Sequence, residues 1–203
     1  MEGYTFNIFI QEKTKYLSST FYINIISFTS LSIGWLIFKA QKNHFNFYSK
    51  LFIIIGFIVY FIIGLFLSVT RKHRSKPLLG KIDGKLTFSL NSISINDKEY
   101  NLEQINLIEL QVFDFLNYTP LYQMIGDFNA GLSNGTNNTI TLKLIDGNSI
   151  TVKFQQKEKN EIFIVKDFLI NYYRKKKMTM DDLLSIFQIS GYKERQEFKN
   201  YYS

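Results

Sequence analysis

The 203-residue chain has no cysteine, two prolines, two histidines and one tryptophan. Without cysteine it can form no disulfide scaffold, no thiolate metal site and no thiol nucleophile. Alanine is almost as scarce, at Ala40 and Ala130, whereas Asn, Ile, Lys, Phe and Tyr are abundant. We interpret this bias as typical of an AT-rich, bacterial genome. Apolar residues make up 46% of the chain, and that content excludes a disordered protein.

Charge is nearly missing from the first third of the chain. Residues 1–70 contain five Lys and two Glu, so 19 of the 24 basic and 15 of the 17 acidic residues come later. The formal net charge is +7. After position 70 the cations concentrate at 71–76 and 174–177 and do not spread over one face, which argues against a nucleic-acid-binding surface.

Two long apolar runs occupy this uncharged region. Residues 51–69 contain no charge, and as a helix they would be about 28 Å long, close to the thickness of the bilayer's hydrocarbon core. Residues 21–38 form a weaker run that includes Asn24, Ser27 and three other hydroxyl residues. The sequence therefore predicts a transmembrane hairpin over 17–70, with helices at about 20–39 and 51–69.

Basic residues near the predicted spans indicate an orientation. Six lie outside the hairpin and three in its connecting loop, which favours two cytoplasmic termini in a multi-pass protein of the bacterial inner membrane. We expect the two cationic runs to contact a lipid bilayer surface, although cations at 174–177 also suit the end of a helix. The predicted contact residues are Arg71, Lys72, Arg74, Lys76, Lys175, Lys176 and Lys177.

Small and polar residues recur on one face of each predicted membrane helix. Such faces let helices approach closely, so we predict that they pack against each other. The predicted packing residues are Asn24, Ser27 and Gly34 in the first helix and Gly56, Tyr60, Gly64 and Ser68 in the second.

Beyond Pro77 the hydrophobic pattern changes to the alternation that is typical of β-strands. The clearest hairpin runs over 139–154 around an Asp146-Gly147 turn. Helical spacing begins at Asn160, a further helix opens at Thr179 with Asp182 at its third position, and a last helix covers 192–202. The predicted organisation is an N-terminal cytoplasmic segment 1–16, the hairpin 17–70, a β domain with its capping helix at 71–178 and a helical tail at 179–203.

This order of strands and helix resembles bacterial membrane proteins that join a two-helix hairpin to a pleckstrin-homology-like domain. The resemblance is carried by the strand and turn patterns at 84–88, 93–105 and 138–144, and it covers about 80–176. It implies an α+β membrane protein whose transmembrane hairpin precedes an antiparallel pleckstrin-homology-like split β-barrel capped by a C-terminal helix. Phosphoinositide binding is not expected, because the loop joining the first two strands after the hairpin, Leu90-Asn91-Ser92-Ile93, has no cation.

No nucleophile, base and orienting group can be assembled, and no metal or cofactor site is expected. The predicted function is a non-enzymatic binding or scaffolding module that presents its β domain to a protein partner. The candidate contact residues are the loop aromatics Phe115, Tyr118, Tyr122 and Phe128, beside Phe113. The alternatives are that these aromatics complete the core, or that the working part is the hairpin of an accessory or immunity-type membrane protein.

Overall fold

The computed structural model describes residues 3–13, 18–40, 47–119 and 129–202. The chain divides into two compact units. The first, which we call the sheet unit, consists of Met1–Lys13, Leu78–Tyr118 and Ser133–Ser203. The second, the helical unit, consists of Thr14–Pro77 and Thr119–Leu132.

Seven antiparallel strands form one open sheet in the sheet unit, in the order β4-β3-β2-β1-β7-β6-β5. Their inward side chains build the core together with the helices that follow the last strand. The strands are β1 Tyr4–Gln11, β2 Gly80–Phe88, β3 Ser92–Ile95, β4 Lys98–Asn101, β5 Ile105–Gln111, β6 Asn138–Leu144 and β7 Ser149–Gln155.

Strand β1 lies in the middle of the sheet, although it is the first element of the chain. It pairs with β2 along its whole length and with β7 at residues 7–9. Phe6 and Ile8 are buried, and the Phe6 ring makes edge contacts with the rings of Phe88 and Phe154 at 5.8 and 5.2 Å. No strand was predicted here, although the alternation of Phe6 and Ile8 with polar residues is a strand signal.

The β6–β7 hairpin confirms the prediction made for residues 139–154. Leu142 lies opposite Ile150, and the two strands are joined around the Asp146-Gly147 turn. The Asp146 carboxylate accepts a hydrogen bond from the backbone N–H of Asn148 at 2.9 Å, as expected for an aspartate that forms a turn. On the outer face, the Thr141 and Thr151 hydroxyls are 2.9 Å apart.

Helices complete the core after β7. The predicted helix that starts at Asn160 is confirmed as a 3₁₀ turn, Glu161–Val165, followed by α3, Lys166–Arg174. The helix α4, Met180–Ile186, begins with the predicted capping box, in which Thr179 and Asp182 exchange hydrogen bonds. The last helix, α5, is Tyr192–Tyr202 as predicted, and its Phe198 is buried.

Two tyrosines tie these helical segments to the sheet. The Tyr172 hydroxyl donates to the backbone carbonyl of Ser89 at 2.5 Å, and its burial raises the pKa of this phenol. The Tyr4 hydroxyl donates to the Glu161 carboxylate at 2.8 Å. Partial burial and this carboxylate raise the pKa of Tyr4 to about 12, so both phenols favour their neutral forms in the folded protein.

The predicted split barrel is corrected to an open sheet with β4 and β5 at its two edges. On the β5 edge, the chain after α3 takes the place of a neighbouring strand. The Lys177 carbonyl accepts from the Ile108 N–H at 2.7 Å, and the Lys177 ammonium donates to the Ile105 carbonyl at 2.6 Å. Two backbone groups on the β5 edge are thereby satisfied without closure of the sheet.

The helical unit contains two helices that pack on each other, α1 Ser19–Ala40 and α2 Phe47–Thr70. A 3₁₀ turn, Arg71–His73, follows α2. The Arg74 guanidinium donates to the Leu67 carbonyl at 3.0 Å, so this cation satisfies one of the carbonyl groups that the end of a helix leaves open.

Within the described residues, neither of these helices, nor any other, combines the length with the apolarity needed to cross a bilayer. A transmembrane helix requires about 20 consecutive, predominantly apolar residues. This finding contradicts the predicted transmembrane hairpin. The α+β membrane-protein class and the multi-pass inner-membrane location with two cytoplasmic termini are corrected with it.

Candidate binding surface

The segment between β5 and β6 begins with a stretch that we call the aromatic segment, residues 113–118. Phe113 is 64% exposed and Leu116 is 36% exposed. Phe115 and Tyr118 are half-buried, and their rings lie 5.0 Å apart in a tilted arrangement. The segment thus exposes two large apolar side chains beside an aromatic pair.

A buried polar cluster holds the backbone of the aromatic segment in place. We call it the Asn138 cluster, and it consists of Asp114, Ser133, Asn138 and Gln156, each less than 9% exposed. Buried polar groups are costly unless they are hydrogen-bonded. The contacts within this cluster therefore restrict the conformation of the chain that carries them.

Asn138 is the centre of the cluster and is fully buried. Its side-chain oxygen accepts hydrogen bonds from the backbone N–H groups of Phe113 and Asp114, both at 3.0 Å. Its amide nitrogen donates to the carbonyls of Asp114 and Gly135, both at 2.9 Å. One side chain therefore bonds the start of the aromatic segment on one side and the approach to β6 on the other.

The Asp114 carboxylate is satisfied by neutral donors. Its Oδ2 atom accepts from the Ser133 hydroxyl at 2.6 Å and from the Asn137 backbone N–H at 3.1 Å. The Gln156 side chain donates to the Asp114 carbonyl at 2.9 Å and accepts from the Ile162 N–H at 3.1 Å. Gln156 therefore joins the segment to the end of β7 and to the 3₁₀ turn beyond it.

Close backbone packing restricts the segment further. Leu116 donates its N–H to the Gln156 carbonyl, and Gln156 donates its N–H to the Gly135 carbonyl, both at 2.9 Å. Gly135 has a φ of +69°, and a Cβ atom there would lie 2.2 Å from the Gln156 carbonyl oxygen. Only glycine fits this position.

Sequence reasoning proposed the aromatic residues but missed the residues that position them. Asn138 and Gln156 gave no recognisable motif, since a buried amide and an exposed one look the same in a sequence. The Ser133-Asn134-Gly135 turn was the available signal, because these residue types are typical of tight turns. Tyr122 and Phe128, also predicted as contact residues, lie outside the described residues.

The C-terminal cations predicted to contact lipid lie beside the sheet. Lys175 donates to the Asn91 side chain at 2.7 Å, and Lys177 bonds the β5 edge as described above. Lys176 is exposed and has a φ of +60°. Two of these three side chains thus have hydrogen-bond partners within the sheet unit.

The cations that follow α2 belong to the helical unit. The Lys76 N–H donates to the Leu132 carbonyl at 2.8 Å, and the Arg71 carbonyl accepts from the Gly131 N–H at 3.0 Å. Lys72 lies in the 3₁₀ turn. These backbone bonds hold residues 71–76 against the strip 131–132 of the same unit.

The predicted helix-packing residues divide into two groups. Gly34 and Gly64 are buried and Ser27 is half-buried, with its hydroxyl donating to the Ile23 carbonyl of its own helix at 2.8 Å. The exposed members are Asn24, Gly56, Tyr60 and Ser68. Nothing lies within 4 Å of the position that a Cβ atom at Gly56 would take.

Large apolar side chains are also exposed on both helices of the helical unit. The residues are Phe21, Tyr22, Ile25, Ile26, Phe28, Ile33, Trp35 and Leu36 on α1, and Leu51, Ile54, Ile55, Phe57, Ile58, Val59, Tyr60, Phe61, Ile62, Ile63, Leu65, Phe66 and Val69 on α2.

The described residues contain no group of three or more His, Cys, Asp or Glu side chains that could hold a metal ion. Comparison with known proteins adds no assignment: no family model, no curated protein and no solved structure matches the chain. The resemblance to pleckstrin-homology-like proteins therefore stays a prediction, and the functional argument depends on the surface itself.

Proposed function

We propose that the chain is a non-enzymatic binding module whose aromatic segment contacts a protein partner. The supporting observation is that Phe113 and Leu116 are exposed on a backbone that the buried Asn138 cluster holds in place. A few residues, many of them aromatic, contribute most of the energy of a typical interface when they fill a pocket of the partner. A backbone ordered before binding loses less entropy when it binds.

Two variants test this proposal in the full chain. Phe113→Ala and Leu116→Ala remove the exposed side chains and leave the buried cluster intact. Truncation of a central interface aromatic costs about 2 kcal/mol or more, which is roughly 30-fold in affinity. We therefore expect partners captured from a native extract by the tagged protein to fall at least tenfold with Phe113→Ala, as quantified by mass spectrometry.

Ile145→Ala is the matched control. Ile145 is 66% exposed in the connection between β6 and β7 and has a similar apolar side chain. Only proteins that are lost with Phe113→Ala and retained with Ile145→Ala count as partners. A photo-reactive phenylalanine at position 113 should crosslink to the same proteins, and one at position 145 should not. The same set of captured proteins for all variants would refute the proposal.

The remaining expectations stay predictions. They include the lipid contacts of the two basic runs and the expectation that the chain catalyses no reaction.

A further inference from the structure

Strand β1 lies between β2 and β7 in the middle of the sheet, and we call the position that it occupies the β2–β7 slot. Only a strand can fill this position. Strands β2 and β7 are both hydrogen-bonded to β1 and are separated by it in the strand order. Without β1, the facing edges of β2 and β7 would have unpaired backbone groups, and the rings of Phe88 and Phe154 would lose Phe6. Unpaired strand edges readily accept a strand from another chain.

The slot fits β1 closely at both of its ends. At one end, a Cβ atom on Gly80 would lie 2.1 Å from the Ile10 carbonyl oxygen. At the other end, a Cβ atom on Gly3 would lie 2.7 Å from the Ser89 hydroxyl and 2.8 Å from the Phe88 carbonyl oxygen. The contact at Gly80 is with a backbone atom that any strand has, whereas the contacts at Gly3 require a glycine in the occupant, as in the chain's own sequence.

The connection between β1 and β2 does not force β1 to fill the slot of its own chain. Strands β6 and β7 are joined by residues 145–148, which force pairing within one chain, whereas residues 12–79 separate β1 from β2. The pairing of Ile8 with Phe154 spans most of the sequence, so β1 is synthesised long before its slot exists. A strand that reaches its sheet through a long connection is the kind of element that identical chains exchange.

We propose that β1 exchanges between two copies of this chain, so that Tyr4–Gln11 of each copy fills the β2–β7 slot of the other. The exchanged dimer keeps every hydrogen bond and core contact of the sheet, since the same residues meet in the same register. This inference is independent of the proposed binding function, because it involves neither the aromatic segment nor the Asn138 cluster.

The absence of cysteine makes a disulfide test unambiguous. Thr5 and Thr87 lie directly opposite each other on β1 and β2, with their hydroxyl oxygens 2.9 Å apart. Opposed positions on antiparallel strands are close enough for a disulfide. In the full chain with both Thr5→Cys and Thr87→Cys, exchange predicts a covalent dimer on non-reducing electrophoresis. A chain that keeps its own β1 forms this disulfide internally and migrates as a monomer.

Co-expression of two single variants is the second arm. When one copy carries Thr5→Cys and the other carries Thr87→Cys, neither chain can form the disulfide alone, so a bond in excess of the control pair below reports that β1 has passed between copies. Random pairing predicts that about half of the exchanged dimers contain this bond. Peptide mass spectrometry should then find positions 5 and 87 linked.

The control uses Thr141 and Thr151, whose hydroxyls are also 2.9 Å apart but whose strands cannot exchange. Their double variant should form a bond within one chain, and their co-expressed single variants should form none. The proposal is overturned if the Thr5/Thr87 double variant stays a monomer, if it forms no disulfide, or if both pairs link copies equally.

Discussion

Replacement of Asn138 by alanine is the sharpest test of how the aromatic segment is held. The change removes the side-chain oxygen that accepts hydrogen bonds from two backbone N–H groups, those of Phe113 and Asp114. The Asp114 carbonyl keeps its bond from Gln156, and the Gly135 carbonyl keeps its bond from the Gln156 N–H. The cost is therefore set mainly by the two donors.

An unsatisfied buried donor costs about 1 to 3 kcal/mol. The Asp114 N–H is buried and the Phe113 N–H is partly buried, so we expect a total loss of about 3 kcal/mol in the free energy of unfolding. With a denaturant slope of about 2 kcal/mol per molar urea, the midpoint of the sheet unit should fall by about 1.5 M.

Urea unfolding followed by far-ultraviolet circular dichroism measures this loss. Hydrogen exchange of the Phe113 and Asp114 amides should also become faster. Thr139→Ala is the control, because its exposed hydroxyl bonds only the Gln111 side chain at 3.3 Å, and its effect should stay within about 0.5 kcal/mol. Trp35, the single tryptophan, lies in α1 and reports separately on the helical unit. A loss below about 1 kcal/mol with unchanged amide exchange would refute the reasoning.

Two further predictions concern a glycine pair and a tyrosine. A left-handed backbone conformation costs alanine about 1 to 2 kcal/mol. Gly135→Ala should lower the free energy of unfolding by clearly more than this, because its Cβ would also collide with the Gln156 carbonyl. Gly147→Ala, at φ +87° in open space, should show only that cost, and equal thermal shifts in the two variants would contradict the argument. For Tyr4, the pKa rises from 10.0 to about 12 on folding, so its contribution to stability is complete below pH 10 and is lost as the pH rises towards 12. Tyr4→Phe should therefore reduce the alkaline fall in unfolding free energy over this range, and an identical pH profile would exclude the ionisation of Tyr4 as its source.

Local patterns predicted the elements of this protein where short-range chemistry decides them. The alternation around Asp146-Gly147 gave the β6–β7 hairpin, and Thr179 with Asp182 gave the start of α4. These predictions were correct because a turn or a capping box needs only neighbouring residues. The transmembrane assignment, which used the length and the lack of charge of two apolar runs, is contradicted by the helices that the structure describes.

The candidate site could be predicted only in part. The aromatic character of residues 113–118 is visible in the sequence, and so is the turn-forming Ser133-Asn134-Gly135. Which side chains are exposed is not visible. Phe113 and Phe115 are two residues apart in similar surroundings, yet Phe113 is mostly exposed and Phe115 is half-buried beside Tyr118.

The sequence by itself determined the positions of most strands and helices, the turn chemistry and the uneven distribution of charge, because hydrophobic period and turn residues act over a few positions. Tertiary structure alone decided that β1 lies in the middle of the sheet, that Lys177 covers the β5 edge, and that Asn138 joins two distant segments. These features depend on pairings between residues far apart in the chain. Such pairings stabilise the protein only after folding has removed water from backbone groups, which then need hydrogen-bond partners within the protein.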